Sequence, residues 1–252
     1  MLGASTTSDT PLPTTLMLHS SGTGPRQFKA FESRIKGRLV CPDLRARWPQ
    51  ADKSWRSDAD LEKVLKEVDQ SNGPLDIVGH SYGGVLGMRV ALARPERARK
   101  IWVHEPVLWG CYRALATPQE VQDFNALVAP FISWERSGTR DWMMEFVDFW
   151  SGPGTFESLP EPAQADLVAQ SHKLFAQVVG LLADDTGPEL WAKMPPFTVS
   201  VGRTAPLPQR RSMSLLASAL PQATLVELPG GHMGPVTHPL AFARAVKTAL
   251  HA

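Results

Sequence analysis

Cysteine is scarce in this chain of 252 residues: it has two, Cys41 and Cys111, too few for a disulfide framework and with no C-x-x-C metal pattern. Both are read as small buried hydrophobes in a reducing compartment rather than as reactive thiols. Net charge is almost absent as well. Lys and Arg number 26 and Asp and Glu 25, a balance of +1 with histidine neutral, and no basic stripe runs along the chain. Nucleic acid is therefore disfavoured as a partner. Met1 to Pro13 is small and polar, without the basic start and apolar run of a secretory signal. No stretch is long enough to span a bilayer, so a cytoplasmic protein with no membrane partner is expected. A Gly-Lys-Ser/Thr phosphate loop and a metal-ligand cluster are also missing, and no cofactor or metal is expected. No feature specifies an oligomer.

What is present fits a single folded enzyme-sized core. Hydrophobic residues make up 43% and charged residues 20%, which suits a globular domain of this length. Short apolar runs at Thr15–Leu18, Leu39–Cys41, Leu75–Val78, Ile101–Val103, Phe197–Val201 and Thr224–Leu228 read as strands. Helical spacing appears near 26–36 (Phe28, Phe31, Ile35), near 58–70 (Leu61, Leu65, Val68), over Tyr82–Ala93, between the last two strands and near 239–250. Asn72-Gly73-Pro74 closes the second of these, and Pro239 opens the last. Strand–helix alternation predicts an α/β fold: a mostly parallel sheet of about six strands with helices on both faces. No pair of strands is expected before residue 14.

The interval 106–195 is too long for one crossover. It carries helical patterns at 118–133, 139–150 and 161–184, broken by Ser151-Gly152-Pro153-Gly154 and by Pro160 and Pro162. The division expected is a core of 1–105 and 196–252 with a helical insertion of 106–195. Trp142, Met143, Phe146, Val147 and Trp150 share one helical face there. That face either packs on the core or lines a substrate pocket beneath a lid; for the segment as a whole, its place of insertion favours the lid.

Gly79-His80-Ser81-Tyr82-Gly83-Gly84 lies between a predicted strand and a predicted helix. The pentapeptide G-x-S-x-G recurs by chance, but in this context it is the nucleophile elbow. A turn this tight forces the serine into a strained backbone, and glycines on either side remove colliding Cβ atoms. The hydroxyl then projects at the carboxyl edge of the sheet, next to a helix N-terminus. Serine needs a base. Of seven histidines, His232 follows the last strand in Gly230-Gly231-His232-Met233-Gly234-Pro235, at the same edge. His238, before Pro239, is the rival, and His80 is read as pointing off the other side of the elbow. Two backbone amides should hold a developing oxyanion. Tyr82, after the nucleophile, is one. The other is assigned to Ser21, with Ser20 second, in the loop His19-Ser20-Ser21-Gly22-Thr23-Gly24.

Together, His19-Ser20-Ser21-Gly22, Pro42-Asp43-Leu44, the elbow at Ser81 and Gly231-His232-Met233-Gly234 resemble the α/β-hydrolase superfamily, and its bacterial serine esterase-like members with a helical lid in particular. The resemblance covers nearly the whole chain. It departs in two places. Members more often carry His-Gly where this chain has His19-Ser20. They also keep an Asp after the penultimate strand, where this chain reads Gly202-Arg203-Thr204-Ala205-Pro206, with no carboxylate. Glu105 ends the strand after the nucleophile's, directly before Pro106, and some relatives, haloalkane dehalogenases among them, take their acid from that position. A Ser81–His232–Glu105 triad is the expectation, against a Glu105 that faces solvent or anchors the lid. Dehalogenase chemistry does not carry over, because those enzymes use an Asp nucleophile.

The implied activity is hydrolysis of a small-molecule carboxylic ester through an acyl-enzyme. Lactone or carbon–carbon bond hydrolysis with the same triad, and a hydrolase-fold receptor with little turnover, are the alternatives. Ser20, Trp109 and Met233 are the expected substrate contacts. Arg45, Arg47 and Trp48 follow the second strand at the functional edge and belong either to a solvated loop or to a contact with an anionic group.

Overall fold

The computed structural model describes residues 13–32, 34–35, 37–44 and 57–251. The readings of the N-terminal segment before Pro13 and of Arg45, Arg47 and Trp48 lie outside the described residues.

Six parallel strands form one sheet in the order β2-β1-β3-β4-β5-β6: β1 (Thr14–Leu18), β2 (Arg38–Val40), β3 (Leu75–His80), β4 (Ala98–His104), β5 (Phe197–Gly202) and β6 (Ala223–Leu228). β1 and β3 are buried along their whole length, as strands covered on both faces must be. Successive side chains serve opposite faces. Leu16, Leu18, Ile77, Ile101 and Val103 enter the larger core, while Met17, Val78 and Trp102 enter a smaller one.

Before the insertion the helices are α1 (Lys29–Glu32), α2 (Ser57–Val68) and α3 (Tyr82–Ala93). The chain between β4 and β5 holds α4 (Trp109–Leu115), α5 (Pro118–Val128), α6 (Arg140–Ser151), α7 (Thr155–Ser158), α8 (Glu161–Ala169), α9 (Ser171–Ala183) and α10 (Pro188–Trp191). Then come α11 (Leu207–Ala219), α12 (Gly234–Thr237) and α13 (Pro239–His251). Phe242, Val246 and Leu250 of α13 close the smaller core against Phe28 and Phe31.

Three helical expectations need correction. The helix expected near 26–36 is a 3-10 turn, Pro25–Phe28, followed by the single turn α1, although Phe28, Phe31 and Ile35 are buried as their spacing required. The pattern at 118–133 stops as α-helix at Val128, because Pro130 has no N–H for the next bond, and continues as a 3-10 turn. The pattern at 161–184 is two helices. The Gln170 amide bonds the carbonyl of Leu167, three residues back, and that tightened turn ends α8. α4 was not anticipated at all.

The sheet order matters for the site. The chain leaves β1 toward β2, then crosses back to β3 on the other side, so β1 and β3 flank a switch point at their carboxyl ends. Open parallel sheets bind ligands in that crevice.

Candidate active site

Ser81 sits at the turn from β3 into α3 with φ +56° and ψ −122°, a region L side chains rarely adopt. The turn closes because the glycines beside it have no side chains. A Cβ on Gly79 would lie 2.6 Å from the Gly83 carbonyl oxygen, and one on Gly83 would collide with the carbonyl of Leu18 in β1. The Ser81 amide donates to the carbonyl of His104 at the end of β4, 2.9 Å away.

From the Ser81 hydroxyl a line of hydrogen bonds runs through two buried residues. His232 Nε2 is 3.0 Å from Ser81 Oγ, and His232 Nδ1 is 2.7 Å from Glu105 Oε2. The carboxylate can only accept, so Nδ1 carries the proton and Nε2 accepts from the serine. Glu105 is fully buried. Its other oxygen accepts the amide of Gly202 at 2.7 Å. Burial alone would raise the Glu105 carboxyl; the His232 hydrogen bond, aided by the neighbouring histidines and the Gly202 amide, outweighs it and holds the group below its ordinary value. The turn after β5, which has no acid of its own, thus contributes a backbone donor to the carboxylate from β4.

The loop after β1 presents the Ser21 amide through its own clamps. His19 Nε2 accepts from the Leu44 amide at 2.9 Å, which leaves Nδ1–H to donate to the Ser20 carbonyl at 2.8 Å. The Thr23 hydroxyl and amide bond that same carbonyl at 3.0 and 3.3 Å. In a trans peptide the C=O and the following N–H point opposite ways, so the Ser21 N–H is turned from these partners. The Ser20 amide, the second choice from sequence, is taken up by Gln27 Oε1 at 3.3 Å. Tyr82 opens α3, where first-turn amides have no carbonyl four residues back within the helix.

The other histidines sort by position. His238 is exposed and bonds its neighbour Thr237 at 2.9 Å, away from Ser81. His80 does not turn away from the site as expected. Its Nε2–H donates to the His232 backbone carbonyl at 2.8 Å, and the two rings lie 5.0 Å apart. Burial, then the neighbouring His232 and His104, push His80 well below its ordinary value. His104, 3.6 Å from Glu105 Oε1, is likewise pushed down by burial, to about 4, although the carboxylate pulls the other way. It is neutral near pH 7, so that contact is not an ion pair.

His104 beside Glu105 and Gln27 behind the loop after β1 escaped the sequence reading, and Trp150, placed there on a face that could line a pocket, was not expected to meet a histidine. The indole of Trp150, from α6, stacks on the His232 imidazole with centroids 3.9 Å apart and planes 29° apart. Its place on the apolar face with Trp142 and Phe146 was the available signal; Gln27 offered none. Ser20, Trp109 and Met233 all line the cavity above Ser81, which has a volume of about 970 Å³.

Known proteins share this fold. Residues 15–245 match the Alpha/beta hydrolase family. A lipase, LipV of Mycobacterium tuberculosis, is 34% identical over 75 residues, covering 28% of either chain. A putative carbamate hydrolase, RutD of Pseudomonas syringae pv. syringae, is 28% identical over 180 residues, which are 69% of this chain and 66% of that one. The chain thus spans no more than about two thirds of the length of these relatives. Among solved structures, a hydrolase from Pseudomonas aeruginosa PA01 superposes with a TM-score of 0.71 at 22% identity, covering 96% of this chain and 91% of that chain. The enol-lactonase from Burkholderia xenovorans LB400 gives 0.68 at 19% identity, covering 96% and 92%. With the parallel sheet, the elbow and the match across nearly its whole length, this chain belongs to the alpha/beta hydrolase family.

Proposed function

We propose that the protein is a carboxylic ester hydrolase working through an acyl-enzyme on Ser81. The observation that carries this reading is the unbroken line Ser81 Oγ–His232 Nε2, His232 Nδ1–Glu105 Oε2, at 3.0 and 2.7 Å.

The steps follow from who holds each proton. His232 Nε2 takes the Ser81 hydroxyl proton as Oγ attacks the ester carbonyl carbon. The imidazolium that forms is stabilised by Glu105, which stays ionised because it is already bonded by Nδ1–H and by the Gly202 amide. Negative charge on the carbonyl oxygen is received by the Ser21 and Tyr82 amides, each such donor worth roughly 3 kcal/mol in the transition state. His232 returns its proton to the departing alkoxide, freeing the alcohol. Water, deprotonated by the same nitrogen, then releases the acid and restores Ser81.

No described helix is long and apolar enough to cross a membrane. Cys41 and Cys111 are both free, and burial pushes their thiols up to about 11 and about 12. Inert, unpaired thiols of this kind fit a cytoplasmic enzyme.

The test is turnover of short-chain p-nitrophenyl esters by wild type, Ser81→Ala and Glu105→Gln. Wild type should turn over, Ser81→Ala should be inactive, and Glu105→Gln should fall by about 10²- to 10⁴-fold with its fold intact. Full activity in Glu105→Gln would remove Glu105 from the mechanism; a wild type inert on p-nitrophenyl esters of every chain length would remove the ester reading.

A further inference from the structure

The cavity above Ser81 is far larger than an acetyl or butyryl group requires. At about 970 Å³ it has room for roughly thirty waters at liquid density. Part of its wall comes from the helices between β4 and β5, where Val128, Phe131, Leu174 and Leu181 are all buried. Toward solvent the wall stays apolar: Leu207 is 74% exposed and Val236 46%. A wall that is apolar both where it is buried and where it meets solvent suits a large apolar guest.

Charge on the wall points the same way. Asp148 is the one carboxylate lining the cavity, and no Lys or Arg lines it among the described residues. The Asp148 oxygens accept the amides of Gly154 at 2.8 Å and Phe156 at 2.9 Å, which fixes the turn between α6 and α7. A substrate bearing a second carboxylate would lose its hydration against Leu and Phe side chains and meet a like charge there.

Resting on the ester-hydrolase reading above, we infer that the enzyme's preferred substrates are esters of large, uncharged acids, a medium to long chain or a bulky ring system, over those of short or dicarboxylic acids. The acyl chain lies along α6 and α9, and its reacting carbonyl sits between Ser81 and the Ser21 amide. Each methylene withdrawn from water into such a wall gains at most roughly fourfold in affinity.

The pocket can be tested apart from the chemistry. Calorimetric titration of Ser81→Ala with octanamide, butyramide and suberamic acid (an eight-carbon chain ending in a carboxylate) compares length and charge without turnover. Octanamide should bind at least tenfold more tightly than either of the others. Val178→Trp, filling the cavity from α9, should reduce the octanamide-to-butyramide ratio to below threefold. Wild type should favour p-nitrophenyl octanoate over the acetate at least tenfold in kcat/KM. Butyramide binding as well as octanamide, or suberamic acid binding best, overturns the inference. Hydrolysis of the acetate with no gain from chain length also overturns it, while leaving the ester reading intact. If octanamide binds as stated but no ester is cleaved, the cavity accepts the proposed chain and the chemistry assigned to Ser81 is what fails.

Discussion

Ser81 and Glu105 share a backbone anomaly: φ is +56° at one and +44° at the other, and no other non-glycine residue among those described has positive φ. Both stand one step past a strand end, and both are held there by a backbone hydrogen bond to the next strand. Ser81 donates to His104, and Glu105 donates to Ser200 at 3.0 Å. Strain of this kind costs on the order of 1–3 kcal/mol per residue and is found where the surroundings over-determine the conformation.

Removing that strain at the nucleophile should stabilise the protein. Ser81→Gly is expected to unfold at higher urea than Ser81→Ala, by about 1 kcal/mol, with both variants inactive. The alanine reference matters because it loses the hydroxyl equally. Equal midpoints would mean that the turn imposes no strain.

Glu105 reaches His232 with one methylene more than aspartate has. Glu105→Asp should pull the carboxylate back from the 2.7 Å contact and lower kcat by about 10²-fold, with KM little changed. Steady-state kinetics on a single ester would show it, and a loss under threefold would argue that the acid has slack.

The stacking of Trp150 on His232 makes α6 part of the base's positioning. Trp150→Leu should cost about two- to tenfold in kcat, in line with the worth of an aromatic pair, and Trp150→Phe should recover most of it. Recovery by phenylalanine separates loss of ring contact from simple enlargement of the cavity. If both variants fall equally, stacking is not what Trp150 contributes.

Buried histidines set the response to acid. His104 titrates at about 4 in the folded protein and near 6.5 once unfolded. Between those values the unfolded chain binds the extra proton, so stability is full above about 6.5 and declines as pH falls toward 4. From pH 7 to pH 5 this residue should account for a loss of about 2 kcal/mol in unfolding free energy, and His80 adds to it with the same sign. Glu105, whose carboxyl is held below its ordinary value, contributes stability that is present above its unfolded value and lost only in more acid solution. Urea titrations of wild type and His104→Gln at both pH values should show a shallower dependence in the variant.

The central strands β1, β3 and β5 were legible because both faces of the sheet are covered there, which makes each a short run rich in apolar residues, whereas β2 and β6 at the edges are partly exposed and carry weaker signals. Ser81 and His232 were legible for a related reason: glycine patterns at strand ends leave few backbone solutions. Glu105 was reachable through the family resemblance: the usual place of the acid, the turn at Gly202–Pro206, has no carboxylate, and some relatives take theirs from the position where Glu105 closes a buried strand. Contacts made across distant segments were not legible. Nothing local marks Gln27 as an acceptor for Ser20, or His104 as the neighbour of an acid, and α4 has too few residues to display a period. His80 was misplaced because adjacency in sequence says little about a side chain leaving a strand end. Its ring bonds a carbonyl 152 positions away.

Glu105 is also the residue after which the chain leaves the sheet for the helices over the cavity, with Pro106 following at once and its ring packed where a Cβ on Gly84 would lie 3.2 Å away. The departure point is thus pinned from two sides, by the Glu105 amide on β5 and by α3 against Pro106. The residue at which the chain leaves the sheet and the residue whose carboxylate reaches His232 are therefore one and the same, so the backbone anchor of the helical segment also fixes the position of that carboxylate.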